Sequence, residues 1–326
     1  MSSSLLHSPL AATLGIVHPL LSAPMAGVAG GRLATAVSRA GGLGFIGGGY
    51  CDPEWIGAEL AAAGDVPVGI GFIGWRLAAR PTVLDLALAH GVRAVLLSFG
   101  EAAPFAPAIR AAGARLVVQV QSVAQARAAR DAGADVVVAQ GSEAGGHAGQ
   151  RATLPLVPAV VDAVAPLPVV AAGGIADGRG LAAALMLGAA GGMLGSRFYA
   201  CAESLAAPAL RAVAVAASGD DSVRSPAFDR LRGWDWPPGY ALRTLANAVT
   251  REYAADPAAF ERDIDSARID YARAVATADT ERAAVIVGEA ADLVGDCPPA
   301  ADLVVRIVAE AAACLAGAAA LLRRDA

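Results

Sequence analysis

Short runs of β-branched and apolar residues recur along this chain, and alanine-rich stretches of helical character lie between them. The runs are Pro19–Ala23, Leu43–Ile46, Val66–Phe72, Ala94–Ser98, Leu116–Val120, Asp135–Ala139, Pro168–Ala172 and Gly192–Leu194. Each is too short for a helix and nearly free of polar positions, which is the pattern of a strand covered on both faces. They are spaced by roughly 20 to 27 residues, wider before the seventh, and strand–helix alternation of that length calls for parallel strands joined by right-handed crossovers. Eight such units predict an α/β fold, a closed (β/α)8 TIM barrel. An open doubly wound sheet is the rival, but the stretch after the first strand reads SAPMAGVAGG, without the GxGxxG of that fold.

After Cys201 the texture changes. The stretch SGDDSVRSP is turn-rich, RGWDWPPGY concentrates two of the four tryptophans, and the residues beyond it read as helices with Arg, Asp and Glu spread among alanines. This predicts a smaller, mostly helical cap over residues 208–299, with residues 1–207 and 300–326 forming the barrel. The final alanine-rich segment would return as the eighth outer helix. Its apolar run from Leu303 to Leu322 carries Arg306 and Glu310, so a packed helix is expected rather than a membrane span. The first residues lack a basic start, and His7, Pro9, His18 and Pro19 break their apolar stretch, a poor signal peptide.

Charge narrows the chemistry. The chain has 326 residues, 56% of them hydrophobic, and a formal net charge of −5, which offers no general attraction for nucleic acid. All 25 basic residues are arginine, so the phosphate-binding lysine of a P-loop and any Schiff-base lysine are excluded. The four cysteines, Cys51, Cys201, Cys297 and Cys314, show neither CxxC nor metal-ligand spacing, which points to reduced thiols and a cytoplasmic protein. Cys51 reads as a small buried residue.

Three glycine-rich segments carry the candidate site. GSEAGGHAG (Gly141–Gly149) comes after the sixth strand, VVAAGGIADGRG (Val169–Gly180) contains the seventh and GGMLGSRF (Gly191–Phe198) the eighth. In a barrel the loops after the strand C-termini hold the chemistry, and those after strands seven and eight often bind phosphate. Gly173, Gly174, Gly195 and Ser196 would let an anion approach free backbone N–H groups, and Arg197 would add a charge-assisted contact. The plainer alternative for these glycines is that they only make tight turns. His147, flanked by glycines and without bulky neighbours in sequence, is the candidate acid or base. Glu143 reads as solvated rather than as the group that orients the ring, and Asp177 as the N-cap of the helix that starts at Gly178. Trp234, Trp236 and Tyr240 are either the core of the cap or the wall of a pocket.

SAPMAGV (Ser22–Val28), AGGLGFIGGGY (Ala40–Tyr50), QGSEAGGHAG (Gln140–Gly149) and AAGGIADGRGLAAALMLGAAGGMLGSRF (Ala171–Phe198) resemble, in order and spacing, the nitronate monooxygenase family, formerly 2-nitropropane dioxygenases. The resemblance covers the whole chain and is strongest from Pro19 to Glu203. It implies a TIM barrel holding non-covalent FMN. Pro24 and Met25 would lie against the flavin ring, and Gln140 and Gly145 would contact it from the histidine loop. Gln119 is a further flavin contact by position. Gly173, Gly174, Gly195, Ser196 and Arg197 would hold the phosphate, and His147 matches the active-site histidine. The implied partners are a small nitronate substrate and dioxygen, with no nucleic acid, membrane or metal. One departure is Gly71, where many members have Asn. An NAD(P)H-dependent FMN reductase of a quinone or enoyl thioester remains an alternative, as does a flavin-binding module without turnover.

Overall fold

The computed structural model describes residues 6–318. Eight parallel strands, each beginning a βα unit, form the barrel: β1 (Leu20–Ser22), β2 (Phe45–Gly49), β3 (Gly69–Ile73), β4 (Ala94–Ser98), β5 (Arg115–Val120), β6 (Val136–Gln140), β8 (Val169–Ala172) and β9 (Gly191–Leu194). Neighbours run in the order β1-β9-β8-β6-β5-β4-β3-β2, and a parallel bridge between Leu21 and Leu43 closes the two ends. The eight expected strands are all present. The (β/α)8 architecture arises from their composition: β-branched runs buried on both faces need helices outside and side chains inside.

Alternation along the strands builds two separate cores. Val136, Val138, Val170, Leu96 and Met193 point into the barrel, whereas Val137, Ala139, Ala171 and Val95 face the surrounding helices. The interior stack continues downward to Leu10 and Leu14 on the helix Pro9–Leu14, which closes the N-terminal end. That short helix starts at Ser8, whose Oγ accepts from the Leu10 N–H at 3.2 Å. At the opposite end, where the strands deliver their loops, the barrel opens into a cavity.

Three further strands lie outside the barrel. β7 (Gly146–Ala148), β10 (Ser222–Ser225) and β11 (Ala241–Leu245) form an antiparallel sheet in the order β10-β11-β7. The stretch after Cys201 therefore contains strands as well as the expected helices, and one strand of their sheet comes from the histidine loop. Helix Ala300–Ala318 packs against helices Gly178–Met186 and Gly31–Arg39, and the Glu310 carboxylate accepts from the Gly178 N–H at 3.0 Å. Among the described residues no helix is long and apolar enough to cross a membrane; the end of the run to Leu322 lies outside them.

Candidate active site

A cavity of about 470 Å³ opens at the C-terminal ends of the barrel strands. Pro24 and Met25 after β1, Gln119 on β5, Gln140 on β6, Gly145 and His147 from the histidine loop, Gly173 and Gly174 after β8, and Gly195 and Ser196 after β9 all line it. Ten of the eleven residues expected from the sequence are thus brought together. Arg197 is the exception. Its guanidinium is 1% exposed, donates through Nη1 and Nη2 to the Asp296 carbonyl at 3.0 and 2.9 Å, and pairs with the Asp296 carboxylate. It turns away from the cavity, so its side chain is withdrawn as a phosphate contact.

The glycine loops have the backbone an anion site needs. Gly173 and Gly174 adopt φ of +97° and +71°, conformations that L side chains rarely take, so the chain doubles back immediately after β8. The N–H groups of Gly174 and Ser196 make no hydrogen bond among the described residues, and Ser196 Oγ accepts from the Gly288 N–H at 2.8 Å. Gly71 is explained by close approach: a Cβ there would lie 2.3 Å from Cγ of Pro24, so the proline that floors the cavity excludes any side chain.

His147 is neither exposed nor free of bulky neighbours. It is 8% exposed, and its backbone sits in β7 opposite Leu242 of β11. The Trp236 ring stacks on the imidazole with centroids 3.4 Å apart and planes 11° from parallel. Nε2 lies 2.9 Å from Oδ2 of the buried Asp229, while Nδ1 has no partner among the described residues. Burial pulls the imidazole pKa below its usual value, against the hydrogen bond and charge of Asp229, which raise it; Arg232 and Arg224 lower it further. The lowered pKa favours the neutral ring, and a proton on Nε2 would point at Asp229 and leave Nδ1 unprotonated.

Other polar groups hold the loop. Gln121 Nε2 donates to Gln140 Oε1 at 2.9 Å, and Gln140 Nε2 donates to the His147 carbonyl at 3.1 Å, so the Gln140 amide positions the histidine strand. The Arg224 and Arg243 guanidiniums both donate to the Ser142 carbonyl. Glu143 is not simply solvated: its carboxylate accepts from the Thr153 N–H and Oγ1, at 2.9 and 2.8 Å, and closes the loop onto the next helix. Asp177 caps its helix as expected, accepting from the Gly180 N–H at 3.1 Å.

The cavity roof is aromatic. Gly233, with φ of +69°, ends the helix Ala227–Arg232 and turns the chain into Trp234–Trp236. Trp234 stacks on Tyr50, Trp236 Nε1 donates to Tyr50 Oη, and Trp75 meets both indoles edge-on. Both tryptophans wall the pocket. Phe99, which lines the same space, sits edge-on to His147 and Trp236 and holds a left-handed φ of +55°, a strained backbone that the packed roof keeps in place.

A nitronate monooxygenase from Neurospora crassa is 34% identical to this chain, the alignment covering 90% of the chain and 88% of the relative. The family model for nitronate monooxygenase matches residues 7–71 and 76–310. The chain belongs to the nitronate monooxygenase family. It is accordingly a flavin-dependent oxidoreductase. The nitronate monooxygenase match includes every expected site residue and Asp229, and its one internal break falls on residues 72–75, directly after Gly71 and across Trp75 of the roof. Another relative, the (3aS,4S,5R,7aS)-5-hydroxy-7a-methyl-1-oxo-octahydro-1H-indene-4-carboxyl-CoA dehydrogenase of Mycobacterium tuberculosis, is 35% identical over 73% of the chain and 67% of that protein. FabK from Thermotoga maritima superposes with a TM-score of 0.86 at 30% identity, covering 97% of this chain and all of that one.

Sequence reasoning does not find Asp229, Arg232 or the stacking of Trp236 on His147. Asp229 lies 82 residues beyond its histidine, and AFDRLR reads as an ordinary surface helix. The available signal is the placement of Asp229 and Arg232 just before the WDW turn.

Proposed function

We propose that this protein binds FMN and oxidises small nitronates with dioxygen, with His147 as the group that handles the proton. In the balanced reaction, two nitronate anions and one dioxygen give two carbonyl compounds and two nitrite ions. FMN, when bound, supplies the electron transfer between nitronate and dioxygen. The residues fit such a group. Gly173, Gly174, Gly195 and Ser196 would hold its phosphate through backbone N–H groups and a hydroxyl, and Pro24, Met25 and Gln119 would lie along its ring.

The observation that carries the reading is the His147–Asp229 pair at the wall of this cavity. A neutral nitroalkane gives its α-proton to the unprotonated Nδ1. A nitronate brings negative charge beside the ring and draws a proton onto the same nitrogen. In both cases the ring becomes an imidazolium held by the Asp229 carboxylate, and the Trp236 face keeps it in the plane that the pair requires. The aromatic roof excludes water, which strengthens each of these interactions.

The test is the visible spectrum of the purified protein, then anaerobic addition of propionate 3-nitronate or a short alkyl nitronate and, separately, of NADH and NADPH. Bound FMN, oxygen consumption and nitrite release with a nitronate are expected, with slow flavin reduction by either nicotinamide. Rapid bleaching by a nicotinamide, with no nitrite from any nitronate, overturns the reading. It would favour the alternative of an NAD(P)H-dependent reductase; the mycobacterial relative is by its name a dehydrogenase of a carboxyl-CoA compound.

A further inference from the structure

Arg232 ends the helix Ala227–Arg232 and lines the cavity that contains His147. Its Nε and Nη2 both donate to Tyr271 Oη, at 3.1 and 3.0 Å, which fixes the guanidinium plane. Nη1 has no hydrogen-bond partner among the described residues, and no carboxylate oxygen among them comes within 4 Å of the group. Arg230, two positions earlier, instead has Asp235 and Glu261. Asp229 has its Oδ2 on His147. The other neighbours are aromatic: the Phe228 ring centroid is 6.0 Å from Arg232 Cζ, and Tyr50, Trp234 and Trp236 share the same cavity wall. Arg76, 4.5 Å from the Trp234 ring centroid, adds positive charge behind that wall.

The Asp229 charge favours the Arg232 cation without touching it, and a guanidinium in a largely aromatic wall with no carboxylate in direct contact gains from an anion that pairs with its free edge. Its planar donor set suits an oxyanion better than any neutral group. We propose that Arg232 binds a carboxylate of the substrate remote from the reacting carbon, so that the cavity selects acids over their neutral analogues. Tyr271 is the residue that sets its orientation. The proposal rests on the oxidation reading above for its reaction, but not for its binding.

The binding test uses the wild-type holoenzyme. Butyrate and butyramide differ little in shape, and binding is monitored by the fluorescence of the roof tryptophans Trp234 and Trp236. Butyrate should half-saturate at a concentration at least tenfold lower than butyramide, and equal affinities overturn the proposal. The turnover test compares kcat/KM for the nitronates of 3-nitropropanoate and 4-nitrobutanoate with those of their methyl esters. Arg232→Met should lower the acid-to-ester ratio at least tenfold for the better acid, with Arg232→Lys recovering part of it. An unchanged ratio in Arg232→Met refutes the assignment. If that variant does not fold, the butyrate comparison decides. If no nitronate is oxidised, the oxidation reading fails while the butyrate result still stands or falls independently.

Discussion

Replacing Asp229 with Asn probes the chemistry at its most sensitive point. The carboxylate lies 2.9 Å from Nε2, placed to accept the ring proton. An amide of the same shape can present its NH2 there, which places the imidazole proton on Nδ1 and removes the lone pair that faces substrate. Loss of the charge-assisted hydrogen bond alone corresponds to about 1.5–3 kcal/mol, roughly 10- to 150-fold in rate. The wrong tautomer adds to this, so kcat/KM should fall by at least about 100-fold. Burial already pulls the His147 pKa down, and Asp229 is the main influence that raises it. In the variant any residual acid limb of the pH profile should therefore move to lower pH. Nitrite release measured from pH 5 to 9, with flavin content and circular dichroism as controls for folding, reads both effects. A variant that keeps its flavin and more than half of wild-type activity, with an unmoved acid limb, would refute the pairing as a functional one.

Other consequences are open to measurement. For a neutral nitroalkane, which must lose a proton to His147, kcat/KM of the wild type should fall on acidification with a midpoint below the ordinary histidine value of about 6.5, because burial favours the unprotonated ring; a midpoint clearly above it contradicts that environment. Gly71→Ala should be destabilised by about 1–3 kcal/mol and lose flavin, since the new methyl meets Pro24, and a thermal midpoint equal to wild type counts against the close approach. Native protein treated with a thiol reagent at pH 8 should be labelled at Cys297 and Cys314 only, because burial pushes the Cys51 and Cys201 thiols up to about 11 and about 12; labelling of either would show that the barrel opens there.

The barrel is legible in the sequence because its strands are local signals: VVVAQ or AVLLS states in five residues that both faces are buried. The glycine loops and His147 are legible for the same reason. The features that escape depend on distant partners. Arg197 resembles a phosphate ligand because the sequence does not reveal Asp296, 99 residues away, as its counter-ion. The sheet β10-β11-β7 hides in apparent loop and helix because SVRS and ALRTL are short and half polar, and they become strands only by pairing with the histidine segment. Glu143, four residues before His147, is set aside as solvated, and nothing local to the histidine loop points to Asp229 as the partner of the ring.

The order in which a ribosome delivers these parts gives the histidine strand a particular history. His147 emerges with the sixth barrel strand, but Asp229 arrives 82 residues later and β11 later still. At ordinary rates of synthesis of about 5–20 residues per second, the loop spends several seconds on a nascent chain with nothing to pair with. The last barrel strand, ending at Leu194, is thus made before the carboxylate and the indole that complete the histidine's surroundings. A chain stalled or cut between Arg197 and Pro226 would contain all eight barrel strands and the glycine turns, yet its imidazole would have neither its carboxylate nor its indole.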